Sequence, residues 1–266
     1  MNRLLTGLVA ALIWGSTLIL QSYTLLWIFV YGIGVIGLFE YFKICLPQYS
    51  VSTRTTIALI SSLPLLSVYQ SSADYLLPAL LFASLIFVVI AFFLPNRGDS
   101  PKDLFILKSS TGLLFIGLCA SYIPLLITLE DGFYWLGLLT TITIASDTGA
   151  YYTGSNFGRH KLCPAISPGK TIEGLVGGLA CSVFFALIYR VLFLENQTTL
   201  KIVLLTLVIT LIGVCGDLAE SIIKRSNNTK DSGSILPGHG GILDRIDSIL
   251  ASAPAMFYLI YLGFMY

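Results

Sequence analysis

The sequence predicts an all-α polytopic integral membrane protein, with about nine transmembrane helices joined by polar loops on the cytoplasmic side. Three observations predict it. Of 266 residues, 56% are hydrophobic and only 11% charged, and the mean hydropathy of +0.86 is far above that of a soluble domain. The apolar residues gather into runs near the length of about 20 that a helix needs to cross roughly 30 Å of hydrocarbon. Lys and Arg concentrate in alternate connections, as orientation in a membrane requires.

Taken in order, the runs predict spans at 4 to 21, 24 to 42, 55 to 69, 75 to 94, 104 to 128, 133 to 154, 173 to 194, 200 to 220 and 249 to 266. Arg3 precedes the first, and no small-x-small cleavage site follows it, so that run reads as a retained span rather than a signal peptide. The third run is the shortest and either crosses together with the fourth or dips and returns with it. Lys43 and Arg54 lie between spans two and three, and Arg97, Lys102 and Lys108 lie around the start of span five. Arg159, Lys161 and Lys170 separate spans six and seven; Lys224, Arg225, Lys230 and Arg245 separate eight and nine. The other connections carry Asp74, Glu130, Asp131 and Glu195, with Arg190 and Lys201 as basic exceptions. The N-terminus and both large polar loops are therefore expected on the cytoplasmic side, and the C-terminus on the far side. Gly174 and Gly178 form a small-xxx-small pair that predicts close helix packing at the start of span seven. Residues 1–130 read as N-terminal membrane helices and 131–266 as a C-terminal membrane region that carries the polar clusters.

A net charge of +1 provides no basic field for nucleic acid. The five cysteines form no C-x-x-C pair and read as small buried hydrophobes. His160 and His239 have no partners at zinc-ligand spacing.

The chemistry concentrates between residues 217 and 248. Asp217, Ser221, Lys224 and Arg225 share one face of a continuing helix. One anion beside two cations and a hydroxyl suits a metal ion held next to phosphate oxygens, since Arg grips phosphate bidentately and Lys acts as a point charge. After a polar turn at 226–229, Pro237, Gly238, His239, Gly240 and Gly241 break the helix and make a loop whose backbone can approach a ligand closely. Asp244 and Asp247 then lie one helical turn apart and add hard oxygen donors of the kind magnesium prefers. A second cluster begins with Asp147 inside span six, a functional candidate because ionisable groups are costly there. Its loop continues to Ser167, Pro168, Gly169, Lys170 and Thr171. Pro164 stands where a P-loop needs glycine, so the expectation is a helix start, with Ser167 as cap and Pro168 in the first position. A helix N-terminus with Lys170 nearby attracts phosphate.

Ser221, Lys224 and Arg225, followed after four residues by Lys230 and Asp231 and then by Pro237, His239, Gly240, Gly241, Asp244, Arg245 and Asp247, closely resemble the signature of the phosphatidate cytidylyltransferase (CDP-diacylglycerol synthase) family. Two further segments are similar to that family: Asp147, Thr148, Ala150 and Tyr151, and Ser167 through Thr171 with Glu173 and Gly174. The resemblance covers roughly the C-terminal half. It implies that CTP and phosphatidate are converted to CDP-diacylglycerol and pyrophosphate, in an active site formed by the cytoplasmic loops of a multi-pass inner-membrane protein. It also implies magnesium, a second and monovalent cation such as potassium, and a homodimer. On this basis Asp217 and Asp244 are expected as metal ligands and Lys224, Arg225, Asp231 and Asp247 as catalytic residues. Substrate contacts are expected from Asp147, Lys170, Ser221, Lys230, His239, Gly240, Gly241 and Arg245. A CTP-dependent polyprenol or phytol kinase is similar in its C-terminal half and stays open as an alternative, as does a transporter with an ion or anion site. The D-G-x-x-A-R pattern of CDP-alcohol phosphotransferases is absent.

Overall fold

The computed structural model describes residues 2–70, 72–94, 101–233 and 240–265, with backbone alone for 2–6, 8–11 and 70. The chain divides into two compact units, Met1–Leu125 with Asn227–Arg245, and Leu126–Ser226 with Ile246–Tyr266. Most described residues are helical, and five helical stretches are long and apolar enough to cross a membrane: Tyr23–Cys45, Leu76–Phe93, Lys102–Leu126, Ile172–Phe193 and Thr199–Ser226.

In the first unit, α1 (Asn2–Leu20) is followed by α2 (Tyr23–Cys45), whose cap Ser22 accepts the Leu25 amide. Helix α3 (Val51–Ser61) is capped by Ser50 through the Thr53 amide, and α4 (Leu63–Ser67) follows at once. The predicted third span is therefore two short helices rather than one. Pro64 in the first turn of α4 supplies no amide to extend α3, so the chain starts a new helix there. Helix α5 (Leu76–Phe93) turns Leu77, Leu81, Phe82, Leu85, Phe92 and Phe93 outward, as a helix facing lipid requires. Helix α6 (Lys102–Gly112) runs through a π-helical stretch, Leu113–Leu118, into α7 (Cys119–Leu126). Leu38, Phe42, Leu65, Phe87, Phe105 and Leu113 are buried in this unit's core. The Lys108 ammonium donates to the Cys45 carbonyl at 2.6 Å, satisfying an orphan acceptor at the end of α2.

The second unit begins with α8 (Gly132–Phe157), which leads into a hairpin of β1 (Lys161–Cys163) and β2 (Ser167–Thr171), paired antiparallel. Helices α9 (Ile172–Phe193) and α10 (Thr199–Ser226) follow, and α11 (Leu243–Tyr261) starts in the first unit and continues in this one. Its core holds Trp135, Leu139, Ile142, Ile209, Leu250 and Met256. The hairpin departs from the expected all-α chain and displaces the expected helix start. Ser167 and Pro168 are in β2, and the cap of α9 is Thr171, whose hydroxyl accepts the Gly174 amide at 3.1 Å. The reason is local: pairing with β1 uses the backbone through residue 171, and a threonine standing three residues before Gly174 is already a good cap.

Gly174 and Gly178 do mark close packing. A Cβ on Gly174 would lie 2.9 Å from the Ala150 carbonyl oxygen, and one on Gly178 would lie 2.9 Å from that of Ser146. Gly149 faces them, with Cys181 and the Gly177 carbonyl where its Cβ would stand. Helices α8 and α9 thus meet backbone to backbone, where even a methyl group must displace main chain. Gly178→Val is expected to destabilise the protein by about 1–3 kcal/mol, seen as a lower thermal midpoint in detergent; an unchanged midpoint would contradict this packing.

Candidate active site

Helix α10 ends in polar residues because its apolar run stops at Cys215 and Gly216, and the last three turns carry Asp217, Glu220, Ser221, Lys224 and Arg225. Asp217 forms an ion pair with Lys170 of β2 at 2.7 Å. It also accepts the Ser221 hydroxyl at 3.4 Å. The hairpin is held a second time where the Arg225 Nε donates to the Ile166 carbonyl at 3.3 Å. Its open end is tied by Glu173, which accepts the Arg159 and His160 amides and sits 2.7 Å from His160 Nδ1. These contacts place Lys170 over the end of α10, while Gly169 beside it opens to free space.

Asp247, in the second turn of α11 and ahead of the apolar run from Ile249, is buried and accepts the Ser248 amide at 2.7 Å. Burial, and then the Asp217 charge, push its carboxyl up to about 7, and Asp147 adds to the same effect. A cation brought to these oxygens would reverse that shift, because it stabilises the ionised form. Asp147 also lines a cavity of about 10 Å³ with Ser146, Thr210, Ser248 and Ser252. Such a space holds one water at most.

Lys224 sits on the same helix face but is engaged by Glu220, 2.7 Å away and one turn back, with Glu220 itself buried. Sequence reasoning passed over Glu220, although its i,i+4 spacing to Lys224 is a readable signal.

The part of the signature from Lys230 to Arg245 belongs to the first unit. Lys230 and Asp231 are exposed, as is Arg245. Gly240 has a φ of 83°, a conformation glycine adopts without strain. Asp244, in the first turn of α11, accepts the Ser232 and Gly241 amides, each at 3.0 Å. His239 lies outside the described residues. Glu40 of α2 reaches this segment too, and nothing in the sequence reading drew attention to it. A lone carboxylate within a predicted span was the available signal.

A helical protein with membrane-length apolar segments, bearing carboxylates and cations at the polar end of one of them, has the features of a membrane enzyme that handles anionic substrates. Comparison with known proteins makes this specific. The chain belongs to the cytidylyltransferase family, whose family model matches residues 1–263, and is accordingly a nucleotidyltransferase. It is similar to the phosphatidate cytidylyltransferase of Bacillus subtilis (strain 168), 32% identical over 266 residues and covering 97% of each chain. The same-named protein of Staphylococcus haemolyticus is 34% identical over 260 residues, 96% of each chain. That of Staphylococcus aureus (strain COL) is 47% identical over 131 residues, 48% of this chain and 50% of its own.

The helix that carries Glu173 and follows Lys170 depends on its cap. Thr171→Ala is expected to cost about 1 kcal/mol of stability and to lower the thermal midpoint in detergent, with Thr171→Ser restoring most of the loss. Equal midpoints for all three proteins would contradict the capping role.

Proposed function

We propose that this chain is a phosphatidate cytidylyltransferase of the cytoplasmic membrane, condensing CTP with phosphatidate to give CDP-diacylglycerol and pyrophosphate. The observation that carries this reading is the cluster of Lys170, Asp217, Ser221 and Asp247 at the polar end of an apolar helix. A water-soluble nucleotide and a lipid phosphate both present anionic oxygens at that depth, and cations are what bind them. The name carried by relatives along nearly their whole length supports the substrates.

A phosphatidate oxygen attacks the α-phosphorus of CTP. One P–O bond forms there, the bond to the bridging oxygen breaks, and pyrophosphate leaves with that electron pair. No protein nucleophile takes part, so the chain's work is positioning and charge stabilisation. Lys170, carried on the hairpin, and Arg225 hold phosphate oxygens, the first as a point charge and the second through its planar fork. Ser221 donates its hydroxyl, and Lys224 adds positive charge from a position that Glu220 holds. Lys230, Asp231, His239, Gly240, Gly241 and Arg245 form the nucleotide loop, and Asp147 completes the polar lining beside Asp247.

Asp217 and Asp247 suit magnesium, being oxygen donors, one of them buried with its carboxyl raised by burial and by the Asp217 charge. Among the described residues no group of three or more His, Cys, Asp and Glu side chains stands ready as a metal cage. This agrees with an ion that keeps waters and takes substrate phosphates as further ligands. The bound ion supplies neutralisation of the charge shared by attacking and leaving oxygens. Asp244 as a further ligand and potassium as a second cation belong to the same proposal. So do nine spans with both polar loops cytoplasmic, a catalytic region at 131–266, surrounding lipid and a homodimer; the alternation of basic connections supports the topology.

Removing a metal ligand takes away several kcal/mol of transition-state stabilisation. Asp217→Ala is expected to lower turnover by at least about a hundredfold at saturating magnesium, while the protein still inserts and elutes as wild type in detergent. Turnover near wild type would overturn the assignment of Asp217 and the cluster with it.

A further inference from the structure

The first unit contains a buried carboxylate that the reaction above does not use. Glu40, near the end of α2, is 1% exposed. Its Oε2 accepts the Leu243 amide at 3.0 Å and the Ser232 hydroxyl at 3.4 Å. Leu243 is the first residue of α11, so its amide is one of the orphan donors at a helix start. Glu40 thus caps α11 from another helix, and its negative charge lies where the helix dipole favours one. Ser232 links it to the signature segment. The Ser232 amide donates to Asp244, and its hydroxyl also lies 3.3 Å from the Asp244 amide.

The surrounding glycines fit the same arrangement. A Cβ on Gly233 would stand 2.2 Å from Glu40 Oε1. One on Gly241 would stand 1.9 Å from the Ser232 hydroxyl, 2.6 Å from Glu40 Oε2 and 2.7 Å from the Gly233 amide nitrogen. Both ends of the segment therefore close directly on this carboxylate, with no room for a side chain. Farther along, Lys108 donates to the Asn227 side chain at 3.1 Å while also holding the end of α2. Asn227 is thus held through Lys108, and Ser232 and Leu243 through Glu40.

We infer that Glu40 is a positioning residue for the cytidylyl transfer: it clasps Ser232 to the first turn of α11 and so sets the placement of Asp244. The kinetic part of this inference rests on the function proposed above; the structural part does not. An acceptor oxygen is required because one atom must accept both an amide and a hydroxyl; a glutamine oxygen can do so in part, whereas an alkyl chain cannot. These donors serve Oε2, while Oε1 is buried with no hydrogen-bond partner among the described residues, so loss of either donor bears on a carboxylate with little else to hold it.

The test compares wild type with Glu40→Gln, Glu40→Ala and Ser232→Ala as full-length proteins in detergent. Hydrogen exchange is followed in peptides covering residues 229–246, and turnover is measured at saturating CTP and phosphatidate. Faster exchange in that segment is expected in the order wild type, Glu40→Gln, Glu40→Ala, with exchange in α8 and α9 unchanged. Turnover is expected to fall by about ten- to a hundredfold in Glu40→Ala, as loss of an outer-shell partner does, with partial recovery in Glu40→Gln because its amide oxygen still accepts. Ser232→Ala should reproduce the exchange change. Unaltered exchange at 229–246 in Glu40→Gln and Ser232→Ala overturns the clasp, whatever the activity. Altered exchange with wild-type turnover in both overturns the positioning role. The exchange result needs no substrate, so if wild type fails to use CTP and phosphatidate, the proposed function falls while the clasp is still judged. If Glu40→Ala does not accumulate as folded protein, Glu40→Gln and Ser232→Ala decide the outcome.

Discussion

An ionised carboxylate beside apolar helices must be matched by a cation or by hydrogen-bond donors, because desolvating it alone costs several kcal/mol. The polar structure follows from that constraint. Asp217 is matched by Lys170, Glu220 by Lys224, and Glu40 by an amide and a hydroxyl. Asp247 has the Ser248 amide but also the Asp217 charge, and its carboxyl is raised accordingly. Two of these matches tie together segments distant in sequence. Lys170 brings the hairpin to α10, and Glu40 brings α2 to the start of α11.

Close backbone packing gives the second unit its geometry. The glycine contacts between α8 and α9 fix the helices at either end of the hairpin, and Thr171 starts α9 directly after β2. Lys170 therefore has little freedom: it is one residue from a helix cap and two contacts hold its hairpin to α10. A point charge held this way is preorganised, as the function proposed above requires of Lys170.

Much of this was legible in the sequence because the signals were local. The apolar runs, the helical face of Asp217, Ser221, Lys224 and Arg225, the small-residue pair Gly174 and Gly178, and the helix carrying Asp244 and Asp247 all follow from periodicity within a few turns. The hairpin was hidden because Ser167 and Pro168 imitate a helix start, while strand pairing with residues 161–163 is not visible in their own composition. The break of the third run into α3 and α4 had a local sign in Pro64, and the shortness of that run was the visible symptom. Glu40 had a local sign, a carboxylate inside a predicted span, but its role could not be read, since its partners lie some two hundred residues away. Hydropathy counts it only as one polar residue in an apolar helix.

The most direct measurement of the central claim uses purified protein in mixed micelles with phosphatidate, magnesium and CTP labelled separately at the α- and γ-phosphates. Transfer of a cytidylyl group predicts that α-label enters the lipid and γ-label appears in pyrophosphate, in equal amounts. Entry of γ-label into lipid with release of CDP would show a kinase instead, and no incorporation of either label would contradict the account.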